Sequence, residues 1–159
     1  MNGSSRITAA LCAIALAACA AKHPPAAADA STDGYFACSL LTPSEVGAAL
    51  GVPVLHEYRV PPNRCEYRGK GPLESIFVEA SQTGADAQFE GEKLADTLMG
   101  VSQAKSDVKI GDDSQWEAMG TVLYARKGDA YVGIDMRAAA VKTRIVGPHL
   151  ATLALSRIH

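Results

Sequence analysis

The four cysteines limit how this chain can fold more than any other feature. Cys12 and Cys19 fall in the apolar N-terminal stretch, and Cys38 and Cys65 in the longer remainder of the chain. Arg6 is the sole charge before a short apolar run, Ile7 to Leu16, which ends in the small residues Ala17 and Ala18. That is the layout of a secretory signal, and it is too short to span a membrane. Residues 1–18 therefore read as a signal peptide that carries Cys12 away. An exported domain meets oxidising conditions, so the two cysteines beyond Cys19 imply one disulfide, Cys38 to Cys65. Closing a loop of that length stabilises by about 3–4 kcal/mol in the chain-entropy account. A metal pair or a redox dithiol is the alternative, although the chain has no Cys-x-x-Cys and no His or acidic residue at ligand spacing beside either cysteine.

The stretch Leu16-Ala17-Ala18-Cys19 resembles a bacterial lipobox, which is a Leu, two small residues and an obligatory Cys. The resemblance implies diacylglycerol on the Cys19 thiol and cleavage before it, where small side chains admit the peptidase. Anchoring then comes from methylenes buried in the bilayer at about 0.8 kcal/mol each. Ordinary cleavage after Ala20 or Ala21, leaving no lipid, is the alternative. Ala20 lacks the Asp that retains such proteins at the inner membrane. In a Gram-negative cell this implies the outer membrane, facing the periplasm. Residues 20–34, rich in Ala and Pro and without apolar periodicity, read as a flexible tether that includes His23. The predicted organisation is a signal peptide at 1–18, a lipidated N-terminus and tether at 19–34, and one domain at 35–159.

That domain, about 125 residues long, can bury a real core. Its weakly acidic balance, within a net charge of −2 for the chain, gives no footprint for nucleic acid, which needs a basic patch. Thr42-Pro43-Ser44-Glu45 is a capping box with Pro at the first helical position, and Gly51 stops the helix, so residues 43–50 are predicted helical. Residues 53–60, 65–68 and 74–82 read as strands, the last alternating Ile76, Val78 and Ala80 against Ser75, Phe77, Glu79 and Ser81. Ala87, Gly91, Leu94, Leu98 and Val101 recur at helical spacing and predict a helix over 85–99 with that apolar face. Asp107 to Ile110 reads as a short strand, and residues 115–119 and 121–127 as strands separated by a kink or bulge at Gly120. Lys127-Gly128-Asp129 is a hairpin turn into 130–136, and Gly147-Pro148 opens a last helix. Residues 138–146 remain open between loop and helical turn. Short connections favour antiparallel pairing, so the expected fold class is α+β: an antiparallel sheet with three helices packed on it and one disulfide.

Cys38-Ser39-Leu40-Leu41-Thr42-Pro43-Ser44-Glu45, with Cys65-Glu66-Tyr67 further along, resembles a family of small exported lipoproteins best known from actinobacteria. Its pattern is Cys-x-Leu-Leu-Thr-x-x-Glu and then Cys-x-Trp or Cys-x-Tyr. The family's later motifs correspond to Gly111-Asp112-Asp113-Ser114-Gln115-Trp116, to Lys127-Gly128-Asp129 and to the Leu150–Ile158 helix. The resemblance covers about residues 38–158 and implies fold and location but no activity.

No catalytic constellation is legible. Asp112-Asp113 lacks the spaced oxygens of a calcium loop and reads as a solvated turn. His23, His56, His149 and His159 are not spaced as ligands, and no nucleophile elbow accompanies them. Gly69-Lys70-Gly71 has no helix behind it to cradle a phosphate and reads as a hairpin turn. Met99, Met119 and Met136 are scattered and read as core filling. Trp116 and the tyrosines read as core edges or cross-strand pairs. The expectation is a membrane-anchored envelope lipoprotein that acts as a non-enzymatic binding or protein-interaction module. Lipid on Cys19 would hold it to the membrane, with an envelope protein or a small molecule as ligand, and with no cofactor or metal. An enzyme of unrecognised type and a metal- or redox-binding envelope protein are the alternatives.

Overall fold

The structure is a computed structural model that describes residues 33–100 and 107–159. The lipobox with Cys19, and the tether up to residue 32, lie outside the described residues. Among the described residues no helix is long and apolar enough to cross a membrane.

The helix predicted from its capping box forms as α2, Pro43–Leu50. Thr42 Oγ1 accepts the Glu45 N–H, the Glu45 carboxylate accepts the Thr42 N–H, and Gly51 ends the helix at a φ of 73°. A helix that the sequence does not announce precedes it: α1, Asp33–Ser39, which carries Cys38. The strands are β1 (His56–Val60), β2 (Arg64–Arg68), β3 (Ser75–Ser81), β4 (Asp113–Trp116), β5 (Val122–Lys127) and β6 (Ala130–Asp135), with α3 (Ala85–Leu98) after β3 and α4 (Thr143–Leu155) after β6. They make one sheet in the order β1-β2-β3-β6-β5-β4, every neighbour antiparallel. The antiparallel α+β class is as expected; among the described residues four helices rather than three accompany it.

The strict alternation of β3 sorts the sheet into two faces. Ile76, Val78 and Ala80 are fully buried on the core face with Cys65, Tyr67, Trp116, Leu123, Val132 and Ile134, and α1, α2 and α4 supply the residues that cover them. Cys38 and Cys65 are disulfide-bonded with a Cα–Cα distance of 5.0 Å, which ties α1 to β2. Tyr67, buried beside them, donates its hydroxyl to Leu41 O at 2.7 Å and Cys38 O at 3.3 Å. Glu45 and Arg157 close the same end: Arg157 holds both carboxylate oxygens and the Leu40 carbonyl, so the tail of the chain locks the start of α2.

Four local expectations are corrected. Residues 107–110 form no strand; Ile110 is buried in the core, and Gly111 bridges to Arg126 so closely that a Cβ there would sit 2.1 Å from Arg126 O. Gly120 is no kink within a strand, because the predicted strand 115–119 stops at Trp116 and Gly120 closes the β4–β5 turn at a φ of 70°. Gly147-Pro148 does not open the last helix, which starts at Thr143 and contains Pro148. Gly147 instead allows close approach to the sheet, since a Cβ there would lie 2.7 Å from Met136 Cε and 2.9 Å from the Trp116 ring. The fourth concerns α3. Its inward residues are Ala85, Phe89 and Asp96, while Leu94 and Leu98 of the predicted apolar face are exposed. Val101 lies outside the described residues.

Candidate functional site

The second, outer face of the sheet is where chemistry collects. Strand alternation puts Arg64, Glu66 and Arg68 of β2 there, beside Ser75, Phe77 and Glu79 of β3 and Tyr131, Gly133 and Asp135 of β6. α3 covers only part of this face: Ala85 and Phe89 cluster with Val122, Tyr124 and Tyr131, the Phe89 carbonyl accepts from Gln115, and Asp86 pairs with Arg126. Among the described residues no helix packs on the outer side of β1 and β2, α1 lying on the opposite, core side. What remains open is a surface of paired charges and aromatic rings.

Asp135 is its centre. The Arg137 guanidinium reaches both its oxygens, Nε to Oδ1 at 3.0 Å and Nη2 to Oδ2 at 2.6 Å. Arg64 Nη2 adds a third contact at 3.1 Å and the Arg137 N–H a fourth at 3.0 Å. Burial works against the Asp135 charge, but the hydrogen bonds from Arg137 and the charges of Arg137 and Arg64 outweigh it and lower its pKa. Arg64 lies over the Phe77 ring, 4.7 Å from the centroid, and its Nε is buried with no acceptor. Arg68 lies over Tyr58 at 5.2 Å and pairs with Glu66. Glu79 accepts the Tyr131 hydroxyl at 2.9 Å and the Asn63 amide at 3.4 Å. A cavity of about 180 Å³ lies between Arg64, Glu79, Tyr124, Gly133, Asp135 and Arg137. Gly133 makes room for it to be walled by Tyr124, whose Cε1 would be 2.7 Å from a Cβ on residue 133.

Beneath α3 the same face turns acidic. Burial raises the Glu92 pKa, against a hydrogen bond from Tyr124 and with the charges of Asp96, Glu117 and Glu79 adding to the rise. Burial also raises the Tyr124 pKa, so that phenol stays protonated and able to donate. Asp96 is buried, and its Oδ2 has no hydrogen-bond partner.

The residues singled out from sequence take up scattered and mostly structural roles. Asp112 accepts the Gly128 N–H and pins the β5–β6 hairpin, while Asp113 accepts the Ser114 N–H. The Gly69-Lys70-Gly71 turn holds an anion of its own: Gly71 N–H donates to the Glu74 carboxylate, which fills the space a Cβ on either glycine would need. His56, His149 and His159 are all exposed, His56 with its ring centroid 5.7 Å from that of Tyr58; His23 lies outside the described residues. Glu57 lies within 4.8 Å of the Cys38 and Cys65 sulfurs, a proximity that sequence spacing misses and antiparallel register creates. Both sulfurs are committed to the disulfide and offer no thiolate. The charged cluster on the outer face escaped the sequence reading too, because Arg64 and Asp135 are 71 residues apart and meet only through β3.

A scan against protein-family models and searches of curated proteins and of solved structures find no match to this chain.

Proposed function

We propose that this chain is a lipid-anchored lipoprotein of the cell envelope, cut before Cys19, that binds a partner protein with the open half of its sheet. The observation that carries the reading is the surface formed by Arg64, Arg68, Phe77, Tyr58 and Arg137. Its arginines are held over rings or against a buried carboxylate before any partner arrives. Arginine and aromatic side chains dominate the energetics of protein interfaces, and fixing them beforehand reduces the entropy lost on binding. Nearly balanced charges, Arg64, Arg68 and Arg137 against Glu66, Glu79 and Asp135, fit a partner of mixed charge better than a polyanion.

The binding test is a photo-reactive side chain at Lys70, on the rim of this surface, with Thr152 of α4 as control, in intact cells. An adduct at Lys70 alone, lost in Arg68→Glu, is the expected result; equal labelling at both sites overturns the assignment. The anchor has a separate test. Cys19→Ala should accumulate unprocessed precursor without lipid label, and normal maturation of that variant would overturn it.

A further inference from the structure

On the outer face the register sets Arg68 directly opposite Ser75 and Glu66 opposite Phe77. The Gly69 N–H donates to Glu74 O, so both rungs fall at non-hydrogen-bonded pairs of the β2–β3 ladder, where facing side chains come closest. With Lys70, Gly71 and Pro72 of the β2–β3 turn, and with Ala138, these four residues line a cavity of about 540 Å³. That volume falls within the range of about 300–1,000 Å³ typical of ligand pockets.

Its polar groups keep unused bonding capacity. Arg68 Nε and Nη2 both donate to Glu66 Oε1, at 2.8 and 2.5 Å. Among the described residues nothing donates to Glu66 Oε2, and Arg68 Nη1 has no acceptor. Ser75 is only 6% exposed, and its N–H holds Ala138 O, yet its hydroxyl makes no hydrogen bond among the described residues. A hydroxyl so placed favours whatever supplies its partner. Lys70 is exposed and pairs with no carboxylate among the described residues. Arg68 and Lys70 against Glu66 leave the lining one positive charge in excess. The free donors suit a carboxylate, the free Glu66 oxygen suits an N–H, and Phe77, Pro72 and Ala138 suit an apolar group. An aspartate or glutamate side chain brings only the first of these. At the C-terminus of a polypeptide all three sit on one carbon. We propose, resting on the reading of the open sheet as a partner-binding surface, that this cavity captures the C-terminal residue of the partner protein. Its carboxylate meets Ser75 Oγ and Arg68 Nη1, with the Lys70 ammonium at the mouth. Its N–H meets Glu66 Oε2, and its apolar side chain lies against Phe77. Terminal carboxylates are captured by other peptide-binding modules as well. The cavity is larger than one amino-acid residue, so the residue before the last enters with it.

Nuclear magnetic resonance titration of the full chain in detergent tests this, with acetyl-Ala-Ala-Leu and acetyl-Ala-Ala-Phe as probes, each also prepared as its C-terminal amide. The free-carboxylate peptides are expected to shift the amide signals of residues 66–77 and to bind about tenfold tighter than the amides, or more. Ser75→Ala should weaken them about fivefold and the more exposed Lys70→Gln about threefold. Peptides and amides that bind alike, shifts confined to other residues, or folded variants that titrate as the wild type does would each overturn the proposal. Free leucine binding as tightly as acetyl-Ala-Ala-Leu would overturn it too, by giving the cavity to a free amino acid. The comparison of carboxylate with amide needs only the wild type, so it decides the matter even if a variant does not fold. The cross-link at Lys70 in cells reports separately on the surface. An adduct there without carboxylate-dependent peptide binding removes the chain end and keeps the surface, whereas equal labelling at Lys70 and Thr152 removes the surface itself.

Discussion

Replacing Glu45 with Gln separates the charge of this side chain from its capping geometry, because Gln can still accept the Thr42 N–H. The hydrogen bonds from Arg157 come first, and those from Thr42 next, in lowering the Glu45 pKa from the usual 4.5 to about 2. Taken whole, that depression corresponds to about 3 kcal/mol. The Glu45 side chain is 28% exposed and its partner Arg157 34%, so solvent screening reduces the figure to about 1 kcal/mol. Linkage gives the sign: a carboxylate with a depressed folded-state pKa contributes stability that is present above its unfolded value and is lost as pH falls through the folded one. Glu45→Gln should therefore destabilise by about 1 kcal/mol at pH 7, with the difference persisting at pH 5 and shrinking between 4.5 and about 2. Urea denaturation of both proteins across that range measures it, and Arg157→Met completes a double-mutant cycle. A difference that stays constant from pH 7 to the acid end would refute the reasoning, since it would locate the effect in packing or helix propensity and not in the ion pair.

Tyr67→Phe leaves the Leu41 and Cys38 carbonyls without their buried donor and should cost about 1–2 kcal/mol in guanidinium unfolding; a neutral result would mean that water or another donor reaches them. Gly133→Ala places a methyl against the Tyr124 ring and should destabilise by about 1–3 kcal/mol, with a changed near-ultraviolet tyrosine signal; no change in either measurement would show the ring free to move away. Glu92→Gln should stabilise the fold at neutral pH, because a carboxylate with a raised folded-state pKa contributes most when protonated and loses that contribution as pH rises. Thermal unfolding of the two proteins should differ at pH 7 and converge below the ordinary carboxylate range, and a wild type more stable than the variant at pH 7 would contradict the burial described for Glu92.

What the sequence makes legible is mostly local. The capping box of α2 needs only Thr42 and Glu45, three residues apart, and forms as read. β3 declares its core face by alternation, since Ile76, Val78 and Ala80 need only a pleat to share a side. The disulfide follows from counting cysteines once the compartment is assumed. Non-local effects hide the rest. α1 has no cap or apolar period strong enough to announce it, and its place is held by the Cys38–Cys65 bond and by Ala37, Leu40 and Leu41 in the core. In α3 the period is right and the phase is wrong. Leu94 and Leu98 outnumber Phe89 in apolar mass, yet the surface offered by Val122, Tyr124 and Tyr131 fits the Ala85 and Phe89 side. Gly147-Pro148 looks like punctuation, but its glycine answers to the ring of Trp116 beneath it. The charged outer face is harder still to read, because its members come from β2, β3, β6 and Arg137, two residues past β6, and only the strand order brings them together.

The phase of α3 bears on how the outer face works. With Ala85 and Phe89 inward, the second half of the helix brings Glu92 into hydrogen-bond reach of Tyr124, and Asp96 is buried as well. An apolar edge there would have extended the covered half across the sheet. Tyr124 instead stands between the two halves: it donates to Glu92 on the α3 side and lines, with Arg64 and Arg137, the cavity on the other. Asp135 then holds those two arginines in place. α1, the first described helix, packs on the opposite face. The helix face left outside, Leu94 and Leu98 with Met99 at its end, is the counterpart of the same choice. Burying those residues would have turned Glu92 and Asp96 to solvent and taken Glu92 away from Tyr124.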